Sequence, residues 1–315
     1  MSSSQTWGLS ATILAPAEDI LRFAAFHLEA GAHRLYIYLD DENPVAFGAL
    51  KAHPKVRVTQ CNAAWWAKKT NGRPAKHQAR QTMNATHAYH RKAEVDWLIH
   101  MDVDEFLVSD QPIAAVLAGI PANLLSARAR PMEALAGDAT VFKGFIPGGP
   151  ARDKIVKDIY PTFGPHIKGG FLSHLAGKVF IRTRLPDIEV KIHNAFQSGD
   201  EVKGADLDQG TLALAHCHAK TWEAWLTAYR YRLSKGSYRS ELSPNRSRDV
   251  GGLSMYELFT MIENTDGEAG LRAFFDEVCA DTPALRARLQ QHGLLRKTDL
   301  NLDAALATHF PNVTP

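Results

Sequence analysis

The chain has little cysteine, almost no charge imbalance and no long apolar run. Cys61, Cys217 and Cys279 are the only cysteines in 315 residues. They are odd in number, widely spaced and without a C-x-x-C, which excludes a disulfide scaffold; buried free thiols in a reducing compartment are expected instead. The 36 Lys and Arg against 34 Asp and Glu leave a net charge of +2, so charge gives no case for a nucleic-acid partner. No stretch reaches about 18 uninterrupted apolar residues. The nearest, from Ile113 to Leu125, is broken by Gly119, Pro121 and Asn123. Met1-Ser-Ser-Ser-Gln-Thr6 lacks a basic stretch followed by an apolar one, so no signal peptide is expected. These absences predict a soluble, cytoplasmic protein. Internal repeats and low-complexity tracts are absent as well.

What remains is an ordinary globular composition, with 45% hydrophobic and 22% charged residues. That is enough apolar area for a core and excludes disorder as the main state. The length allows two domains or one enlarged α/β domain.

The first third alternates strand and helix patterns. Ala11 to Ala15 reads as a buried strand. A helix is expected from Glu18 to Ala30, with Gly31 where a glycine ends a helix. Arg34 to Leu39 and a segment marked by Val56 and Val58 read as strands. The loop Asn71-Gly-Arg-Pro74 opens a helix reaching Lys92, and Trp97 to Met101 is a further apolar strand. Asp110 is placed to cap a helix starting near Pro112. The alternation predicts an α/β fold with a mostly parallel sheet. After Pro131 the chain turns loop-rich, with short strands at Lys178–Arg182, Ile188–Ile192 and Thr211–Ala215. From Thr221 it is mainly helical, with Thr221 capping a helix Trp222–Lys235. Three segments follow: 1–130, 131–220 and 221–315.

The sharpest local feature is Asp102-Val-Asp104-Glu105 directly after the apolar strand. In an extended chain, residues two apart point to one side, so Asp102 and Asp104 would present two carboxylates at the strand's C-terminal end. Ligands of open α/β sheets bind beyond that end. Paired carboxylates suit Mg²⁺ or Mn²⁺ shared with a phosphate. The alternative is an acidic turn capping the helix near Gln111. Farther on, Leu212, Leu214, His216 and His218 share strand parity, which would put both imidazoles on one side as metal ligands or bases. The helix after Thr221 carries Trp222, Trp225, Tyr229 and Leu233 on a packing stripe. Arg230, Arg232, Lys235 and Arg239 make its far end basic, allowing contact with a phosphate-bearing substrate or an anionic membrane surface.

Taken in order, Ala15-Pro-Ala-Glu18 through His27, Tyr36-Ile-Tyr-Leu-Asp40, Lys76-His-Gln-Ala-Arg-Gln81, Trp97 through Asp102-Val-Asp-Glu-Phe-Leu107, and His216-Cys-His-Ala-Lys220-Thr resemble family 2-like glycosyltransferases of the GT-A fold. The resemblance covers about residues 10 to 236. It is specifically to the bacterial branch that shares a D-x-D-E-F box and a late H-x-H-x-K-[ST] box with the family 92 enzymes. It implies a GT-A-type, Rossmann-like central sheet flanked by helices, a loop-rich β acceptor region and a helical C-terminal part. It also implies a nucleotide-diphosphate sugar donor, a UDP-sugar foremost, and a glycan or lipid-linked acceptor in cell-surface polysaccharide synthesis. On this resemblance Ala15, Glu18, Asp40, Arg73, Lys76, Gln81 and Asp102 face the nucleotide sugar, while Asp102, Asp104 and His218 hold Mn²⁺ or Mg²⁺. The sequence departs from the relatives at Pro16-Ala17, where they carry Lys-Asn or Arg-Asn.

Glycosyl transfer also needs a base for the acceptor hydroxyl. His193, Glu133 and Glu105 are the candidates, His193 first because it closes a strand in the variable region. Two other classes fit the same residues. A metal-dependent phosphoesterase would use the same carboxylates and histidines without an acceptor. A catalytically silent carbohydrate-binding protein would stack sugars on tryptophans such as Trp65 and Trp66.

Overall fold

The first strand, Trp7–Ile13, is buried along its whole length, as a strand covered on both faces must be. The computed structural model describes residues 5–70, 72–137, 139–236, 238, 240–244 and 248–313. Asn71, Arg239 and the side chain of Lys235, named above, lie outside the described residues. In chain order the strands are β1 (Trp7–Ile13), β2 (Arg34–Leu39), β3 (Val56–Gln60), β4 (Trp97–His100), β5 (Glu105–Val108), β6 (Ser126–Ala134), β7 (Val141–Lys143), β8 (Lys178–Arg182), β9 (Ile188–Val190), β10 (Ala195–Gln197), β11 (Asp200–Glu201), β12 (Ala205–Asp206), β13 (Ala213–His216) and β14 (Leu295–Lys297). The α-helices are α1 (Ala17–Glu29), α2 (Pro44–Ala52), α3 (Ala63–Lys69), α4 (His77–Tyr89), α5 (Ile113–Ala118), α6 (Arg152–Ile159), α7 (Trp222–Lys235), α8 (Met255–Val278), α9 (Pro283–Gln291) and α10 (Leu302–His309).

The chain divides into two units, each assembled from separate segments. The first comprises Met1–Pro131, Ala176–Ala215 and Leu300–Pro315, and the second Met132–Leu175 and His216–Asp299. The segments of the two units thus alternate along the chain.

In the first unit β3, β2, β1 and β4 lie side by side and parallel. β8 follows antiparallel to β4, and β6 antiparallel to β8. β9, β10 and β11 form a separate antiparallel sheet. This is the α/β class with a mostly parallel sheet flanked by helices that the alternation predicts. α1 buries Ile20, Leu21, Phe23, Ala24, His27 and Leu28. It ends with Gly31 at φ +90, a left-handed conformation that costs glycine nothing. α10 packs on α1, where Arg22 pairs with Asp303 and His309 with Glu29. Pro112 precedes α5 with no side-chain cap, so Asp110 does not act as one.

In the second unit the end of β6 pairs with β7, and β7 with β14, all antiparallel. α7, α8 and α9 surround an aromatic core. Trp225 stacks on Tyr229 with ring centres 5.4 Å apart and meets Phe259 and Phe274. Thr221 caps α7 by accepting from the Ala224 amide at 3.1 Å. Ser254 and Glu257 form a reciprocal cap on α8, which is interrupted at Gly267. All three cysteines are buried and unbridged. Among the described residues no helix is long and apolar enough to cross a membrane.

Candidate functional site

The parallel strands set the address of the site. The chain lays β1, β2 and β3 outward in one direction, then returns to place β4 on the other side of β1. The loops leaving β1 and β4 therefore diverge, and such a switch point is where open α/β sheets hold ligands. The residues leaving the strand ends are Leu14–Pro16 after β1, Asp40 after β2 and Asp102 after β4.

Two carboxylates flank the exit of β1, and α4 holds both. The Asp40 side chain is buried; its Oδ2 lies 2.8 Å from Arg80 Nε, 3.0 Å from Arg73 Nη2 and 3.6 Å from His77 Nδ1. Burial pushes its pKa up, but hydrogen bonds from His77 and Arg80 and the charges of Arg80 and Arg73 outweigh that and hold it below the usual carboxylate range. The Asp40 Oδ1 is buried and accepts no hydrogen bond. Gln81, next to Arg80 on α4, turns the other way and donates from Nε2 to Asp102 Oδ1.

Asp102 and Asp104 do not alternate as residues of an extended strand. β4 stops at His100, and a turn precedes β5. The turn closes reciprocally: the Glu105 amide donates to the Asp102 carbonyl at 3.2 Å, and the Asp102 amide donates to Glu105 Oε2 at 2.8 Å. The carboxylate that caps here is Glu105, and it caps this turn instead of the helix near Gln111, whose amide donates to Ser109.

Lys178, the first residue of β8, completes the arrangement. Its buried ammonium lies 2.7 Å from Asp102 Oδ2 and 3.3 Å from Glu105 Oε2. Burial alone would lower the lysine pKa, but the charges of Asp102 and Glu105 outweigh it and raise the value. Both Asp102 oxygens thus accept from N–H donors. A divalent ion on Asp102 would have to compete with the Gln81 amide and the Lys178 ammonium for its two oxygens. In this arrangement Gln81 and Lys178 occupy the two Asp102 oxygens. Asp104, half-buried in the same turn, offers the hard oxygens that Mg²⁺ or Mn²⁺ takes.

His100 closes β4 beneath this turn. It is fully buried, and neither ring nitrogen has a hydrogen-bond partner. Desolvation, reinforced by the Lys178 charge and opposed by Asp102 and Glu105, lowers its pKa to about 4.

Other expected residues stand apart. The Ala15 carbonyl accepts from Asn43 Nδ2 at 3.3 Å, tying the β1 exit loop to the one after β2. Glu18 pairs with Arg22 at 2.6 Å, and Lys76 is exposed at the start of α4. His193 donates from Nδ1 to the Gly177 carbonyl at 3.0 Å, and Arg128 holds the His193 carbonyl and the Asn194 side chain at 2.8 Å. Because a carbonyl can only accept, the proton sits on Nδ1 and Nε2 is the basic nitrogen. Trp66 is buried in α3, and Trp65 donates to Asn84 at 3.3 Å, so this pair packs on a helix.

β13 ends at His216, where the second unit resumes. His216 and His218 therefore do not continue as strand residues on one face; their rings meet edge-on with centres 5.5 Å apart. Arg232 Nη1 donates to His218 Nε2 at 2.9 Å, so a metal on that nitrogen would have to displace the guanidinium. Arg230 pairs with Glu263, which leaves the far end of α7 less basic than its sequence suggests. Glu133 is not an available base: it is buried, 2.5 Å from the buried Lys143 ammonium, and accepts from the Leu172 and Ser173 amides. Its burial favours the neutral acid, but the Lys143 charge, with a further contribution from His218, holds its pKa far below the usual range.

The residues missed from sequence are Lys178, His77 and Arg80. A signal for the first existed, since a lysine opening the apolar run Val179-Phe180-Ile181 has to bury its charge against a partner.

Neither a protein-family model nor a curated protein matches the chain. Similar solved structures include HddC from Yersinia pseudotuberculosis, 11% identical over 72% of this chain and 98% of that one, with a TM-score of 0.35. A mycobacterial protein is 12% identical over 77% and 78%, also at 0.35. The galactosyltransferase LgtC, solved with donor and acceptor sugar analogues, is 10% identical over 56% and 57%, at 0.27. These overall superpositions are weak.

Proposed function

We propose that this chain is a glycosyltransferase that moves a sugar from a nucleotide-diphosphate donor, a UDP-sugar foremost, to a hydroxyl of a glycan or lipid-linked acceptor in cell-surface polysaccharide synthesis. The observation that carries the reading is the pair Asp40 and Asp102, held by consecutive residues of α4 on either side of the β1 exit, at the switch point of a parallel sheet. Arg73, half-exposed beside Asp40, supplies a cation for phosphate oxygens. The set of sequence boxes around Asp40, Gln81 and Asp102 supports the same assignment.

In the proposed reaction the acceptor O–H gives its proton to His193 Nε2 as the oxygen attacks the anomeric carbon. The bond from that carbon to the diphosphate breaks, and the nucleoside diphosphate leaves. His193 is preferred to Glu105 because Gly177 fixes its tautomer, whereas Glu105 is buried and committed to Lys178 and the Asp102 amide. A bound Mn²⁺ or Mg²⁺, for which Asp104 is the proposed carboxylate, would add positive charge near the leaving group.

The test is a thermal-shift panel of nucleotide sugars, with and without Mn²⁺. A donor at 100 times its Kd stabilises the native state by about 2.7 kcal/mol, so one donor should raise the melting temperature by several degrees. No shift with any nucleotide sugar would refute the reading, and phosphate release from simple esters without an acceptor would favour a phosphoesterase. Asp104→Ala should melt like the wild type and lose metal-stimulated turnover; unchanged stimulation would remove Asp104 from that role.

A further inference from the structure

We propose that Lys178 is a built-in cation that takes the place at Asp102 where a divalent ion would otherwise sit, and that it positions this carboxylate for ligand. The nucleotide as ligand rests on the function proposed above; the exclusion of metal from Asp102 does not.

The geometry is asymmetric in the way this role requires. The Lys178 side chain has no exposure, while the Asp102 side chain keeps 30%. The ammonium therefore approaches from inside the protein and leaves an edge of the carboxylate open to solvent. Gln81 holds the other oxygen, and Glu105 anchors the ammonium from behind. The Lys178 backbone is held by pairing with β6 at Ala129, and its side chain is fully buried. The preceding Gly177 adopts φ +70 with the Ala129 carbonyl so close that a Cβ would lie 2.0 Å from it. The backbone entering β8 is thus wedged against β6. A lysine is a point charge with three donors, so it can pair with two carboxylates at once without imposing the coordination shell a metal needs. Asp102 is then an acceptor for a ligand O–H or N–H, fixed in place before the ligand arrives.

The experiment uses the full chain and two probes, Mn²⁺ alone and UDP. Asp102→Asn should change Mn²⁺ affinity less than twofold by calorimetric or paramagnetic titration. Lys178→Met should create a Mn²⁺ site at least tenfold tighter than any in the wild type, and adding Asp102→Asn should abolish it. UDP should bind the wild type in EDTA, and any gain in Mn²⁺ should be lost in Asp104→Ala and kept in Asp102→Asn. Lys178→Met should bind UDP at least tenfold more weakly in EDTA and recover in Mn²⁺, whereas Lys178→Arg should need no metal. A purely structural lysine would not produce this metal rescue. Loss of Mn²⁺ binding in Asp102→Asn alone would overturn the proposal, and that variant decides the matter even where Lys178→Met does not fold. Failure of UDP to bind at all would count against the proposed function and leave the Mn²⁺ titrations to judge Lys178.

Discussion

His27 lies within α1, its ring stacked on Phe106 at 6.0 Å and beside Phe23 at 4.6 Å. Its Nδ1 lies 2.8 Å from the Phe23 carbonyl and must donate to it. That leaves Nε2 as a bare lone pair buried without a partner. Protonating it would create a buried N–H with no acceptor. Desolvation, opposed by the Phe23 carbonyl and the Glu105 charge, accordingly lowers the pKa from 6.5 to about 4. His100 shifts equally far. A folded pKa below the unfolded one means that the unfolded chain binds more protons between these limits. Stability is therefore complete above about pH 6.5 and falls as the pH drops toward 4. Between about pH 7.5 and pH 5 each histidine should cost about 2 kcal/mol, or about 4 kcal/mol together. Asp40, Glu94 and Asp96 have lowered pKa values, so their contributions are lost as the pH falls from the ordinary carboxylate range through those lowered values. His27→Phe keeps an aromatic ring and removes the titration. Urea unfolding followed by fluorescence should show the loss between these two pH values shrink by about half. An unchanged pH dependence in His27→Phe would refute the reasoning.

Lys143→Met strands the buried Glu133 carboxylate and should destabilise the protein by about 3–5 kcal/mol in urea titrations; a loss under about 1 kcal/mol would contradict an essential ion pair. Gly177→Ala should lower the melting temperature more than Thr221→Ala, whose lost cap costs about 1 kcal/mol, because alanine there meets both a positive φ and the Ala129 carbonyl.

Local order was readable where the determinants are local. β2 and β8 occupy the residues their apolar runs mark, and α7 begins at its threonine cap. The turn at Asp102 was not readable, because it depends on Glu105 folding back onto a backbone amide instead of continuing the alternation. The partners that decide the chemistry lie far away in sequence. Lys178 reaches Asp102 across 76 positions, and Arg80 reaches Asp40 across 40. The Glu133–Lys143 pair is nearer, but it appears only once β6 and β7 are paired, with these two residues opposite each other. His218 looked like a ligand because nothing in its own segment announces Arg232 from the next helix.

The interleaving of segments bears on how the polypeptide is made. When a ribosome has released the first 131 residues, β4 still lacks the strand that will cover its open edge, and α1 still shows the apolar surface that α10 will hide. Neither partner emerges until much later, and the second well after the first. Until then the edge of β4 and the apolar face of α1 stay uncovered, the kind of surface through which partly made chains associate.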